Sequence, residues 1–263
     1  MSGKLPAVLI TGASSGIGAT YADRFARRGH DLVLVARDRA RMEALAAELR
    51  SETAVKIDIL PADLTDAGDL ARVESRLRED ELIGVVINNA GIAVPGGFAD
   101  ADVEAMDRLI RLNVTAVTRL IGAVVPRFLA QGEGAIVNVA SVVGLAPEIS
   151  LGAYGATKAY VLALSQSLQV ELGGRGLYVQ AVLPAATRTE LWERSGRDVN
   201  NIPGMMDVGE LVDAALAGFD KRELVTIPPL PDAGQWETFD AARKAMLPNF
   251  ANEHPAARYR TAA

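Results

Sequence analysis

Thr11-Gly-Ala-Ser-Ser-Gly-Ile-Gly18 follows a short apolar run, Ala7 to Thr11, and opens an amphipathic stretch that reaches about Arg28. A glycine-rich turn between a strand and a helix leaves backbone N–H groups free where the helix begins. Those groups and the helix dipole make an anion site suited to a pyrophosphate. Gly12 permits the turn, while Gly16 and Gly18 permit close approach of a ligand and packing of helix on sheet. The spacing is Gly-x-x-x-Gly-x-Gly rather than Gly-x-Gly-x-x-Gly.

Outward from this turn, strand and helix patterns alternate. Strands are expected at Asp31–Ala36, Val55–Leu60, Leu82–Ile87, Ala135–Ala140, Leu177–Leu183 and Glu223–Ile227. Helices are expected at about Arg39–Arg50, at Ala101–Ala130 with an interruption near Pro126, at Leu151–Leu172, at Asp207–Phe219 and at Asp232–Leu247. This alternation implies an α/β fold, a parallel, doubly wound sheet with right-handed crossovers. No repeat or linker divides the chain, so one domain over residues 1–263 is expected, with a polar tail at 248–263.

Composition narrows the function. A net charge of −6 argues against general binding to nucleic acid or anionic membranes. The absence of cysteine excludes disulfides and thiolate chemistry, and neither His30 nor His254 sits in a metal-ligand pattern, so no metal is expected. No apolar run is expected to reach membrane-spanning length, and the first residues lead straight into a strand, which suggests a cytoplasmic protein.

The chemistry is expected between Ser141 and Lys158. Tyr154 and Lys158 are four residues apart, one turn of a helix on one face. A phenol titrates near ~10, and a fixed ammonium beside it favours the phenolate, giving an acid/base pair. Such a spacing alone usually makes an ordinary half-exposed face. Here, however, Lys158 and Glu171 are the only charges from Leu151 to Leu172, and a lysine in so apolar a helix needs a partner or a task. Ser141 reaches the same place from the end of the fifth strand.

Other positions carry weaker signals. Arg37 follows the second strand where an acidic residue would favour NAD, and a guanidinium suits the 2′-phosphate of NADP(H). Asp63 could accept from an adenine amino group or from backbone donors ahead of a helix capped by Thr65. Asn88 is expected to be structural, and Asn113, in an apolar stretch, must be hydrogen-bonded. Residues 190–220 form an expected lid, irregular from Glu190 to Met206, with Leu191 and Trp192 as an apolar substrate wall. The charge-poor helices 112–126 and 151–172 imply an interface between copies of the chain.

Taken together, Thr11–Gly18, Asn88-Asn-Ala-Gly91, Ser141 and Tyr154-Gly-Ala-Thr-Lys158 resemble the short-chain dehydrogenase/reductase family, in order and at family-like spacing to about Ile227. The resemblance implies a single-domain Rossmann sheet of about seven strands, a nicotinamide cofactor, which Arg37 narrows to NADP(H), and a carbonyl or secondary-alcohol substrate. It implies a catalytic group of Asn113, Ser141, Tyr154 and Lys158. In that group Tyr154 exchanges the proton, Ser141 polarises the oxygen, Lys158 lowers the Tyr154 pKa and holds ribose hydroxyls, and Asn113 holds a relay water. It places Ser14, Ser15 and Ile17 on the pyrophosphate, Asp63 and Leu64 on adenine, Asn89, Ala90 and Gly91 along ribose, and Pro184, Thr187 and Thr189 near the nicotinamide. Val143 joins Ser141 and Tyr154 on the substrate side. A homodimer or homotetramer follows from the same resemblance. Pro184-Ala185 departs from the family's usual Pro-Gly. A non-catalytic dinucleotide sensor and a lyase or epimerase on the same fold are the competing readings.

Overall fold

The computed structural model describes residues 5–94, 98, 102–149, 152–190 and 204–260. Within residues 1–228, one compact unit, seven parallel strands form one sheet in the order β3-β2-β1-β4-β5-β6-β7. They are β1 (Ala7–Thr11), β2 (Leu32–Ala36), β3 (Ile57–Pro61), β4 (Ile83–Asn88), β5 (Gly134–Val139), β6 (Leu177–Val182) and β7 (Val225–Thr226). β1, β2 and β6 are buried along their whole length, so each reads as a continuous apolar run rather than an alternation.

Helices cover both faces. α1 (Gly16–Arg27), α2 (Arg39–Glu52) and α7 (Val208–Asp220) bury Phe25, Met42 and Leu211 against one face. On the other face, α3 (Ala67–Glu79), α5 (Val117–Gln131) and α6 (Gly152–Leu172) contribute Val73, Leu120 and Leu172. The strand order reverses beside β1, between β1 and β4, which opens a crevice at the carboxyl ends of the strands. Residues 229–263 form a second compact unit. It holds α8 (Ala233–Lys244), capped by Asp232, and two short 3-10 turns in the expected polar tail.

Four expectations need correction. The chain is helical through Pro126. The bond that Pro126 cannot donate would go to Gly122, and both residues are exposed, so the missing bond falls on the open side of the helix rather than in the core. The irregularity lies earlier, where α4 (Val103–Ile110) passes into a π-helical stretch, Arg111–Ala116, before α5. Asp66, not Thr65, caps α3, accepting from the N–H groups of Gly68 and Asp69. Of the lid expected over 190–220, Val208–Asp220 is a core helix, because Leu211, Val212, Ala215 and Leu216 are buried against α1 and the sheet. Finally, the helix Val103–Gln131 is long and apolar enough to cross a membrane by length and composition, with a window hydropathy of 1.4. Charges at both ends hid this in the sequence, and the helix lays its apolar side on the sheet as the β4–β5 crossover.

A polar chain runs through the middle of this core. Asn88 of β4 donates to Asn138 of β5 at 2.9 Å, Asn138 donates to Ser165 of α6 at 2.9 Å, and Ser165 donates to the Val161 carbonyl at 2.7 Å. Asn88 is structural, as its sequence context suggests.

Candidate active site

The crevice is a cavity of about 750 Å³ whose walls are the segments that leave β1 to β6. Its floor is the glycine-rich turn. Gly12 and Gly16 have φ of 67° and 53°, a region that favours glycine. A Cβ on Gly18 would lie 2.3 Å from the Gly12 carbonyl oxygen, so helix α1 meets the turn only because residue 18 has no side chain. Gly18 therefore packs behind the cavity rather than lining it.

The start of α1 differs from those of five other helices. Asp38, Asp66, Asp102, Asp207 and Asp232 cap α2, α3, α4, α7 and α8 with side-chain bonds, whereas Ser15 makes no such bond at α1. The first N–H groups of α1 thus face the cavity beside Ser14, Ser15 and Ile17 with no side-chain acceptor at the cap. This is the arrangement a pyrophosphate needs. Thr11 and Asn89 hold the turn against β4: the Thr11 hydroxyl accepts from the N–H groups of Asn89 and Ala90 at 3.0 Å, and Asn89 donates back to the Thr11 carbonyl at 2.9 Å.

Arg37 lies exposed on the cavity wall directly after β2. The neighbouring Asp38 is committed to capping α2, where it accepts from the Arg41 N–H. A cation is therefore offered where a 2′-phosphate would need one. Asp63 binds the N–H and hydroxyl of Thr65 at 2.9 and 2.7 Å, which is the local turn rather than a free acceptor, yet it lines the cavity with Leu64. These residues fit a dinucleotide bearing a 2′-phosphate.

The chemical end is built by β5, α6 and the segment after β6. Ser141, Tyr154 and Lys158 line the cavity together with Val143, Pro184, Thr187 and Thr189. The Ser141 hydroxyl donates to the Pro184 carbonyl at 3.1 Å and is hydrogen-bonded to Tyr154. Burial pushes the Tyr154 phenol up to about 12, and the bond to Ser141 pulls against that rise. The sequence suggests the opposite direction, with Lys158 lowering the phenol. Lys158 is itself buried and drawn down to about 8 by desolvation. Its Nζ donates to the Val139 carbonyl at 2.8 Å and lies 5.7 Å from the Tyr154 ring centre. Desolvation is the largest influence on both groups, so the phenol rises and the ammonium falls.

Asn113 is buried in the π-helical stretch, behind the cavity wall. Its amide donates to the Ile92 carbonyl at 2.9 Å and to the Thr157 hydroxyl at 3.1 Å, and accepts from the Ile92 N–H at 3.0 Å. Both amide hydrogens are used within the protein, so a water held by this residue must donate, either to the second lone pair of its side-chain oxygen or to its main-chain carbonyl. Thr157 then donates to the Tyr154 carbonyl at 2.8 Å. Thr157 was not singled out in the sequence, although it lies inside Tyr154-Gly-Ala-Thr-Lys158. Its significance depends on Asn113, which is 44 positions away. Ala185 fits without strain, since Arg222 is the only described non-glycine residue with positive φ. Leu191 and Trp192 lie outside the described residues.

Residues 6–200 match the family model described as short chain dehydrogenase. This chain belongs to that family. The dehydrogenase is 63% identical to a short-chain dehydrogenase from Sphingobium yanoikuyae solved in complex with NADPH, with a TM-score of 0.96 over 97% of this chain and 100% of that one. It is 57% identical to the bulky-bulky ketone specific alcohol dehydrogenase from Comamonas testosteroni, with a TM-score of 0.92 over 98% of this chain and 100% of that one. Among curated proteins it is 34% identical, over 187 residues, to the very-long-chain 3-oxoacyl-CoA reductase-B of Danio rerio. That match covers 70% of this dehydrogenase and only 60% of the relative's length.

Proposed function

We propose that this short-chain dehydrogenase uses NADP(H) to reduce ketones carrying two bulky substituents, and oxidises the matching secondary alcohols. The observation that carries this reading is one cavity joining the uncapped start of α1 and Arg37 to Ser141, Tyr154 and Lys158. Similarity to the Sphingobium dehydrogenase with NADPH supports the cofactor, and similarity to the Comamonas enzyme supports the substrate class. The apolar side chains of Leu112, Val143 and Ile149 line the same space, which suits an uncharged substrate.

When bound, the reduced nicotinamide supplies the hydride that reaches the carbonyl carbon. Tyr154 gives its proton to the carbonyl oxygen. That phenol holds its proton at neutral pH, and burial raises its pKa further, so it starts reduction as the acid. Ser141 turns its hydroxyl from the Pro184 carbonyl toward the substrate oxygen and stabilises the charge that builds there. Lys158 holds ribose hydroxyls and offers positive charge to the phenolate left behind. Asn113 and Thr157 fix the turn of α6 that carries both groups.

Residues 1–263 act as one catalytic chain in this reading, in a cytoplasmic homodimer or homotetramer. The exposed side of α6 (Ala156, Tyr160, Ala163, Ser167 and Val170) supports the assembly, because these small and apolar residues recur at helical spacing. The Tyr160 hydroxyl lies 2.8 Å from the Thr118 hydroxyl of α5. The test is cofactor oxidation with NADPH and with NADH on diaryl and branched dialkyl ketones, set beside methyl ketones and 3-oxo esters. Faster turnover of the doubly bulky ketones with NADPH is expected. Turnover confined to methyl ketones or 3-oxo esters would remove the substrate assignment, and tight NADPH binding with no ketone reduced would remove the reductase assignment.

A further inference from the structure

The segment leaving β6 does not simply turn back into the fold. Ala186 and Arg188 pair with Met206, through Met206 N–H to the Ala186 carbonyl at 2.9 Å and Arg188 N–H to the Met206 carbonyl at 3.0 Å. Thr189 then reaches the first residue of α1, where a Cβ on Gly16 would stand 3.1 Å from its methyl group. Glu190 goes further still. Both of its carboxylate oxygens lie 2.8 Å from one guanidinium nitrogen of Arg41, in the first turn of α2.

In the sheet, β5 and β4 stand between β6 and β1, and β2 lies beyond. Strands about 4.8 Å apart put the ends of β6 and β1 roughly 14 Å from each other. Seven residues, Pro184 to Glu190, span at most about 25 Å. Seven residues are therefore enough to make the crossing, and the contact of Thr189 with Gly16 shows that it passes over the glycine-rich turn. Glu190 also lines the cavity.

We propose that Glu190 and Arg41 form a latch that holds this strap across the pyrophosphate end of the cleft, so that opening the ion pair gates entry and release of the dinucleotide. The pair suits a latch rather than a lock. Its side chains are 48% and 39% exposed, and exposed ion pairs are weak and screened by salt. The same strap carries Thr187 and Thr189, so a closed latch also positions the nicotinamide end. The proposal rests on the cofactor assignment above.

The test is the rate of NADPH release, read by stopped-flow loss of bound-cofactor fluorescence, in wild type, Glu190→Gln, Arg41→Gln and the double variant. Each single change should speed release about two- to fivefold, the range open to an exposed pair. The double variant should be no faster than the faster single one, because the coupling is lost once. Added KCl should speed wild-type release more steeply than release from Glu190→Gln. Unchanged release from Glu190→Gln, or single effects that multiply in the double variant, would overturn the latch alone. Failure of the wild-type enzyme to bind NADPH would overturn it together with the cofactor assignment.

Discussion

The Ser141 hydroxyl donates to the Pro184 carbonyl at 3.1 Å and at the same time is hydrogen-bonded to the Tyr154 phenol. The serine oxygen also accepts from the Val143 N–H at 3.4 Å, and its proton, turned from Pro184 toward the phenolate, is what lowers the Tyr154 pKa. A substrate oxygen that enters must draw the serine proton away from Pro184.

Removing that serine has two separable effects. Ser141→Ala should lower kcat/KM for ketone reduction by roughly 10²-fold, the usual cost of losing one oxyanion donor. It should also raise the Tyr154 pKa, because the bond to Ser141 is what opposes the rise caused by burial. In alcohol oxidation, where Tyr154 must start deprotonated, the pH–rate profile should move to higher pH. A profile that stays in place would separate Tyr154 from Ser141.

Tyr154→Phe keeps the ring and removes the proton. NADPH affinity should stay near normal, and kcat should fall by about 10²- to 10⁴-fold, the range for a positioned general acid. Fluorescence titration and steady-state assays give the two numbers. Equal activity in this variant would sink the mechanism.

Lys158 should weaken the fold that carries it. Its pKa is drawn from 10.5 to about 8, which corresponds to a penalty of roughly 3 kcal/mol on the charged form. The bond to the Val139 carbonyl returns only about 1 kcal/mol. Because the folded pKa is below the unfolded one, the penalty is full below about pH 8 and is relieved as pH rises toward 10.5. Lys158→Met should therefore be inactive yet more stable at pH 7, by on the order of 1–2 kcal/mol. Its advantage should shrink above pH 8 in denaturant titrations. A destabilised variant would show that the ammonium has further partners when the chain is folded.

Arg37→Ala should act on one cofactor only. Loss of a charge-assisted contact to a 2′-phosphate should raise the NADPH Kd about 10- to 100-fold, and leave the NADH Kd nearly unchanged. Equal losses with both cofactors would place Arg37 in the fold rather than at the phosphate.

What could be read from the sequence was local. The turn Thr11–Gly18 and the pair Tyr154/Lys158 are encoded in spacings of a few residues, and the structure brings them to one cavity. The parallel sheet was legible because strand and helix periods alternate. Pro126 misled as a helix breaker, since the real irregularity at Arg111–Ala116 coincides with bonds from Asn113 to Ile92 across the fold. The pKa direction of Tyr154 misled for a related reason, because burial is a tertiary property. Glu190 and Arg41 are 149 positions apart, and no pattern in either neighbourhood announces the other.

The buried chain Asn88–Asn138–Ser165 acts as a ruler for the whole assembly. Asn88 and Asn138 are partners in the ladder between β4 and β5. If either strand slid by one residue, the amide on that strand would turn to the opposite face of the sheet and both amides would lose their partner in the core. The height of β5 relative to β4 is thus measured by polar atoms that never meet a ligand. Ser141 lies three residues beyond Asn138, and Asn89 to Gly91 lie just beyond Asn88. The distance between the two ends of the cleft is set in the core, so the loops around it are free to diverge while the spacing that chemistry requires stays the same.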